Sequence, residues 1–412
     1  MEMNFDKEAE KKSGWLTVPE RLKETVAVTA CDHYGAEEVK AAVERLVDLL
    51  GGLDWVREGM TVAVKVNLVA PMEPQTAGTT HPSVVAELCR LLRQRGARVL
   101  VGDSPGGLFN ESFVRSAYRK CGYEETDLFG AELNSDYSVS HGRFDQAVSI
   151  RTFTYTGWLD QADAIINVCK LKTHAMMAMT CSVKNLFGTI PGTTKPEYHM
   201  RFPDSAAFAN LMVDLNEYFT PIWNIVDAVV GMEGNGPTSG KPKQAGLLLG
   251  SANPYALDAV CADMLGLGRE DVPTIQEAYR RGLGPDTAAQ VELQGDTRLV
   301  RKLGFELVSK RMSTTFGREG WLGALISKAG RWALRTRPNV CKKDCVGCRK
   351  CEQICPARAI SMVEKKPVID REKCIRCFCC QEFCPKGAMK VEYTWIGRLI
   401  SRLNHTGTSH RK

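Results

Sequence analysis

From residue 25 onward, short β-branched and aliphatic runs alternate with stretches whose apolar positions recur every three to four residues. Residues 25–29 read as a first strand. In 36–50 the apolar positions Val39, Ala42, Val43, Leu46, Leu49 and Leu50 share a helical face, and Gly51-Gly52 stops the pattern. A second strand is predicted at 61–69, and a helix at 82–95 with Pro82 just inside its start and Gly96 at its end. Residues 98–102 predict a third strand and 110–120 a helix. Later strands fall at 164–168, 222–230 and 246–249, with helices near 205–217 and 253–265. The stretch 128–155 keeps neither period and reads as an antiparallel excursion. This alternation predicts an α/β fold, a mainly parallel sheet with helices on both faces.

In such sheets ligands bind beyond the carboxyl ends of the strands. The polar residues of this chain gather at those predicted ends. The second strand finishes in Lys65-Val66-Asn67 and the third in Gly102-Asp103-Ser104-Pro105-Gly106. The strand at 164–168 runs into Lys170-Leu171-Lys172-Thr173-His174, followed by Lys184-Asn185, then Lys195 and His199. A further strand leads to Asp227 and Glu233. One such lysine alone is ordinarily a solvated loop charge. Five of them (Lys65, Lys170, Lys172, Lys184, Lys195) at successive strand ends beside glycine-rich turns predict an anion-binding crevice. The expected catalytic set is Lys170, Lys172, His174, Asp103 and Glu233, with proton transfer assigned to Asp103, Glu233, His174 and His199. Lys65, Lys184, Asn185 and Lys195 are expected to hold the ligand or cofactor. The spacing of His81, His174 and His199 matches no metal motif. Neither a Walker loop nor G-x-G-x-x-G follows the early strands, so nucleotide binding has no support.

The C-terminal region carries a different pattern. Cys345, Cys348, Cys351 and Cys355-Pro356 form a C-x2-C-x2-C-x3-C-P run, and Cys374, Cys377, Cys380 and Cys384-Pro385 repeat it. This is bacterial ferredoxin spacing, in which three closely spaced thiolates wrap one cubane and the fourth reaches the neighbouring one. The expected ligand sets are Cys345, Cys348, Cys351 and Cys384 for one [4Fe–4S] cluster, and Cys374, Cys377, Cys380 and Cys355 for a second. Structural zinc needs two cysteine pairs and gives no reason for the third cysteine or the Cys-Pro. Cys341 and Cys379 are left over and read as incidental thiols. Six further cysteines lie scattered without framework spacing, as in a reducing cytosol. A cytoplasmic location is therefore expected. No signal peptide or membrane-spanning run is visible.

A chain of 412 residues exceeds one ordinary core. The expected division is an N-terminal extension at 1–23, the α/β domain at 24–305, a basic connector helix at 306–340, the ferredoxin domain at 341–392 and a basic amphipathic tail at 393–412. The net charge of +6 hides an asymmetry: residues 306–412 hold 23 Lys and Arg against 9 Asp and Glu. No nucleic-acid motif accompanies this charge, so no nucleic-acid partner is expected. Segments 321–334 and 395–403 are basic and amphipathic, with Trp321, Trp332 and Trp395. They read as packing elements of the module, the alternative being peripheral contact with an anionic membrane.

The order Lys65-Val-Asn67-Leu, Gly102-Asp-Ser-Pro-Gly106, Lys170-Leu-Lys-Thr-His174 and Ser182-Val-Lys-Asn-Leu-Phe-Gly188 resembles the family called domain of unknown function 362. Some members of it end in a two-cluster ferredoxin module with a Cys-x-Cys-Cys run, as here. The resemblance implies a distinct N-terminal domain fused to the clusters and carries no general reaction. The function expected is an iron–sulfur redox protein passing low-potential electrons through two [4Fe–4S] clusters to an anionic substrate or cofactor in the α/β crevice, and so an oxidoreductase. The alternative is a non-catalytic electron-transfer or assembly module whose α/β domain binds a partner protein. Either way an electron donor or acceptor protein is expected.

Overall fold

The sheet of the larger unit is built from strands buried on both sides, as their near-continuous apolar runs require. The computed structural model describes residues 15–16, 25–192, 194–308 and 336–393. It divides into two compact units, 1–307 and 308–412. Segments 321–334 and 395–403 lie outside the described residues.

In the first unit the elements run β1 (Thr25–Ala30), α1 (Ala36–Leu49), β2 (Thr61–Lys65), α2 (Pro82–Gln94), β3 (Arg98–Gly102), α3 (Glu111–Lys120) and β4 (Glu132–Leu133). A hairpin of β5 (Val139–Arg143) and β6 (Thr152–Thr156) follows, the antiparallel excursion expected there. Next come β7 (Ala164–His174), β8 (Ala178–Thr180), α4 (Ser182–Asn185), α5 (Lys195–Arg201), α6 (Ser205–Phe219), β9 (Trp223–Glu233), β10 (Lys241–Ser251), α7 (Pro254–Met264), α8 (Pro273–Arg280) and β11 (Glu292–Gly295). The sheet order is β11-β1-β10-β9-β7-β2-β3-β4, with β8 paired to the end of β7. Within that order only β10 runs against its neighbours. The mainly parallel α/β fold is therefore the one observed.

Alternate residues of each strand face opposite sides. Ile166 and Val168 of β7, Val62 and Val64 of β2 and Ile225 of β9 join α1, α2 and α3 in one core. Cys169 and Leu171, Val226 and Ala228, and Leu247 and Leu249 join α7 in another on the far face. Helix starts follow their side chains: Asn110 caps α3 through Phe113 N–H (3.0 Å), and Asn253 caps α7 through Tyr255 and Ala256.

β9 and β10 run longer than expected, and two further differences shape the site. β2 stops at Lys65 rather than residue 69, because Val66 N–H makes the last bond to β3, at Gly102 O, and the N–H groups of Asn67 and Leu68 then turn to Thr80 and Asp103. β7 continues six residues past Val168 to His174, although Lys170 and Lys172 break its apolar run.

The second unit is a pseudo-repeat. Strands β12 (Thr336–Val340) and β15 (Met389–Tyr393) pair antiparallel, as do β13 (Ile360–Val363) and β14 (Lys366–Ile369). Short helices α9 (Lys350–Gln353) and α10 (Cys379–Glu382) follow the cysteine loops. Cys345, Cys348, Cys351 and Cys355 each recur 29 residues later, and backbone bonds recur with them: Cys341 N–H donates to Ala388 O (2.8 Å) and Asp370 N–H to Ala359 O (2.7 Å).

Candidate functional site

Most of the polar residues at the strand ends are buried, and the protein itself holds them. Lys65 ends β2 at 1% exposure, and its Nζ lies 2.8 Å from Asp103 Oδ1 and 2.8 Å from Val66 O. The other Asp103 oxygen accepts Leu68 N–H at 2.7 Å, so one carboxylate fixes both the lysine and the bend after β2. Burial pulls the Lys65 ammonium below the ordinary lysine value, and the Asp103 charge pulls it back.

Gly188 lies directly against this pair. A Cβ there would collide with both Asp103 Oδ1 and Lys65 Nζ. We expect Gly188→Ala to destabilise the protein by about 1–3 kcal/mol, the usual cost of overpacking a tight core. Urea unfolding checks this, and a midpoint equal to that of the wild type would mean the loop yields freely.

A second ion pair sits on the other face of the sheet. Lys170 stands in register with Asp227 across β7 and β9, and its Nζ donates to Asp227 Oδ2 (2.8 Å) and Tyr34 Oη (2.6 Å). Tyr34 Oη donates onward to Asp227 Oδ1 (2.8 Å), and His81 N–H donates to Asp227 Oδ2 (2.9 Å). The His81 ring stacks on Tyr34 at 3.6 Å and 6°. Burial pushes the His81 imidazole down to about 4, so it is neutral at pH 7.

Beside the Lys65 pair runs a ladder of amides. Lys172 Nζ donates to Asn67 Oδ1 (2.8 Å) and Gly78 O (2.7 Å). Asn67 Nδ2 donates to Asn185 Oδ1 (2.9 Å), Asn185 Nδ2 to Asn167 Oδ1 (2.7 Å) and Asn167 Nδ2 to Asn224 Oδ1 (2.8 Å). Ser182 Oγ also donates to Asn224 Oδ1 (2.8 Å), while Ser182 N–H reaches Asp258 at the start of α4. Lys65, Asn167 and Asn224 occupy one row across β2, β7 and β9. An amide both donates and accepts, so such a chain satisfies its members where no water reaches.

The predicted residues therefore separate. Lys65, Asp103, Lys172 and Asn185 meet near α4, where Lys195 Nζ donates to Ser104 O and Gly192 N–H donates to Ser104 Oγ (2.8 Å). Lys184 is half-buried, its Nζ 5.8 Å from the centre of the Phe187 ring. Lys170 lies across the sheet with Tyr34 and His81. His174 Nδ1 accepts the N–H groups of Met176 and Met177, both at 3.1 Å, and His199 stacks on Phe208 at 4.4 Å. Glu233 stands apart at the far end of β9, where it accepts Glu306 N–H (2.9 Å) and faces Lys243 (3.8 Å). Tyr34, Asn167 and Asn224 were not singled out from sequence. An asparagine inside an apolar run is the available signal for Asn167 in 164–168 and Asn224 in 222–230, and Tyr34 carries none.

In the second unit each cysteine loop passes through two left-handed residues, Gly347 and Arg349 in the first and Arg376 and Phe378 in the second. These turns curl the loops around two cavities. One is lined by Cys345, Cys348, Cys351 and Cys384. The other is lined by Cys355, Cys374, Cys377 and Cys380. Ala359 N–H donates to Cys355 Sγ and Ala388 N–H to Cys384 Sγ, both at 3.2 Å, so the crossing cysteines are oriented alike. Among the described residues no three His, Cys, Asp or Glu side chains converge on a point that a single ion could occupy. Thiolates on one zinc stand about 2.3 Å from the metal. Four cysteine thiolates around one cavity are also the donor set that a [4Fe–4S] core uses.

Comparison with known proteins places these features. A 4Fe-4S dicluster domain matches residues 344–388, which marks the second unit as an iron–sulfur module of ferredoxin type. The thylakoid-associated protein sll1697 of Synechocystis sp. (strain ATCC 27184 / PCC 6803 / Kazusa) is 32% identical over 278 residues, 66% of this chain and 83% of that protein. Among solved structures, the lactate racemase apoprotein from Thermoanaerobacterium thermosaccharolyticum aligns at 13% identity with a TM-score of 0.38, over 61% of this chain and 60% of that one. The family described as Domain of unknown function (DUF362) matches residues 62–263, the span that holds both lysine–aspartate pairs and the asparagine ladder. By that match and the likeness to the Synechocystis protein, the chain belongs to the DUF362 family and carries a 4Fe-4S dicluster domain after it.

Proposed function

We propose that this chain is an iron–sulfur redox protein that holds two [4Fe–4S] clusters and delivers low-potential electrons to an anionic compound bound by the α/β unit. The observation that carries the reading is the division of eight cysteines into two fours, each completed by a cysteine from the other run. Cys345, Cys348, Cys351 and Cys384 would hold one cluster, and Cys355, Cys374, Cys377 and Cys380 the other. The clusters supply one-electron chemistry at low potential. The chain supplies thiolates, the amide donors of Ala359 and Ala388, and an apolar floor that includes Ile360 and Met389. Protein purified without oxygen should contain about eight iron and eight acid-labile sulfide, with a broad absorbance near 400 nm. Two zinc per chain and no sulfide would refute this.

In the α/β unit the parts of the polar wall open to a ligand are the half-buried Asn67, Lys184 and Gly188. Lys65, Lys172, Asp103, Asn185 and Lys195 lie behind or beside them, so Lys184 is the proposed anion contact and the others its supports. A second reading, a non-catalytic module whose α/β unit binds a partner protein, is favoured by one observation. The buried pairs Lys65–Asp103 and Lys170–Asp227 neutralise themselves. Calorimetric titration with small carboxylates and phosphate, on wild type and Lys184→Ala, separates the two. A cytoplasmic location is part of the proposal. Among the described residues no helix is long and apolar enough to cross a membrane.

A further inference from the structure

The two halves of the cysteine module are related by the 29-residue repeat, yet their surfaces differ. Cys348 is exposed, while its counterpart Cys377 is 8% exposed. Val346 is 63% exposed beside the first cavity. Arg349 and Lys350 are exposed at that cavity's rim, and the residues at the same repeat positions are the buried Phe378 and Cys379. Lys386 completes the rim. Lys366 bonds Cys345 O from behind at 2.7 Å, so a further cation is tied to the first loop. Acidic groups are nearby but committed: Glu352 takes Arg349 at 2.9 Å, and Asp344 faces Lys390 at 4.0 Å. Of the residues lining the second cavity, only Arg376 carries charge. Residues 336–393 as a whole hold 13 Lys and Arg against 7 Asp and Glu.

We propose that electrons enter or leave through the first cavity's face, where a small acidic electron-carrier protein docks on Val346, Cys348, Arg349, Lys350 and Lys386. This rests on the iron–sulfur reading above. Electron transfer weakens steeply with distance, so a partner must meet the module where a cluster ligand reaches the surface, and Cys348 does so. An exposed valine amid cations gives the small apolar centre and charged rim of a transient redox contact. A basic rim selects an acidic partner and speeds its encounter in a salt-dependent way. The second face exposes none of its four cysteines fully and carries a single charge, Arg376, in its lining, so it offers both properties less.

The test uses the complete protein purified without oxygen and an acidic plant-type [2Fe–2S] ferredoxin as probe. Binding is read by calorimetry and electron exchange by stopped-flow absorbance. Between about 20 and 300 mM salt both should weaken by about tenfold or more. The pair Lys350→Glu and Lys386→Glu should weaken both by a similar factor, whereas Lys373→Glu, beside the second loop, should leave both near wild type. Ferredoxin binding insensitive to salt and to Lys350→Glu overturns the proposal. So does a chain that ignores ferredoxin but binds anionic vesicles through these same lysines. Dithionite separates the levels of failure. If it bleaches the visible band while ferredoxin does not bind, only the docking face is wrong; if there is no band to bleach, the iron–sulfur reading falls with it.

Discussion

Cys384→Ala is expected to destroy the cluster of the first cysteine run and spare that of its own. Iron should fall from about eight to about four per chain, with sulfide falling in parallel. The reason is geometric. Cys384 lines the cavity of Cys345, Cys348 and Cys351, 33 residues from the nearest of them, and not the cavity of its own triplet. Pro385 leads the chain out of the loop, and Ala388 N–H turns the Cys384 sulfur by its 3.2 Å bond. Alkylation under native conditions followed by peptide mass analysis reads the outcome directly. In the variant, Cys345, Cys348 and Cys351 should become labelled while Cys355, Cys374, Cys377 and Cys380 stay protected. Cys355→Ala should give the mirror image. Labelling confined to the mutated run in both variants would show that each run binds its own cluster, and the crossed assignment would be wrong.

Asp227→Ala should destabilise the α/β unit by about 3–5 kcal/mol, the cost of leaving one partner of a buried ion pair alone. Against a total stability of about 5–15 kcal/mol this is enough to unfold much of a marginal domain. Asp227 is fully buried and accepts from Lys170, Tyr34 and the His81 backbone. Removing it strands an ammonium in an apolar interior, frees a tyrosine hydroxyl and releases the entry to α2. The pair itself need not be worth that much. Lys170→Met with Asp227→Leu removes both charges together and should recover a large part of the loss. Urea unfolding followed by far-ultraviolet circular dichroism measures both variants. A loss below about 1 kcal/mol for Asp227→Ala would mean the site admits water and the pair is not desolvated.

The iron–sulfur character of the cysteine module was legible because ligand spacing is a local property. A C-x2-C-x2-C run limits which sulfurs a short turn can bring together, and the doubled run with its Cys-Pro suggested the two groups of four that line the two cavities. The sheet was legible in kind for a similar reason: a strand buried on both faces needs a continuous apolar run, and 25–29, 98–102 and 164–168 supply it. Where the reading went short, polar residues sat inside strands. Lys170 and Lys172 look like the end of β7 when counted as charges. They extend it because Asp227 and Asn67 wait across the sheet to receive them.

The sequence by itself determined the fold class, the strand–helix order and the iron–sulfur character of the second unit. Each of these follows from periodicity or spacing within a few tens of residues. Only the tertiary structure decided that the strand-end lysines divide between two faces of the sheet. Side-chain direction alternates along a strand, so Asn167 and Lys170 face opposite ways although three residues apart. It also decided that Lys65 and Lys170 are neutralised by Asp103 and Asp227, partners 38 and 57 residues away. A charge read from sequence has no partner until the chain folds, and in a buried sheet the partner decides whether that charge is a binding group or a strut.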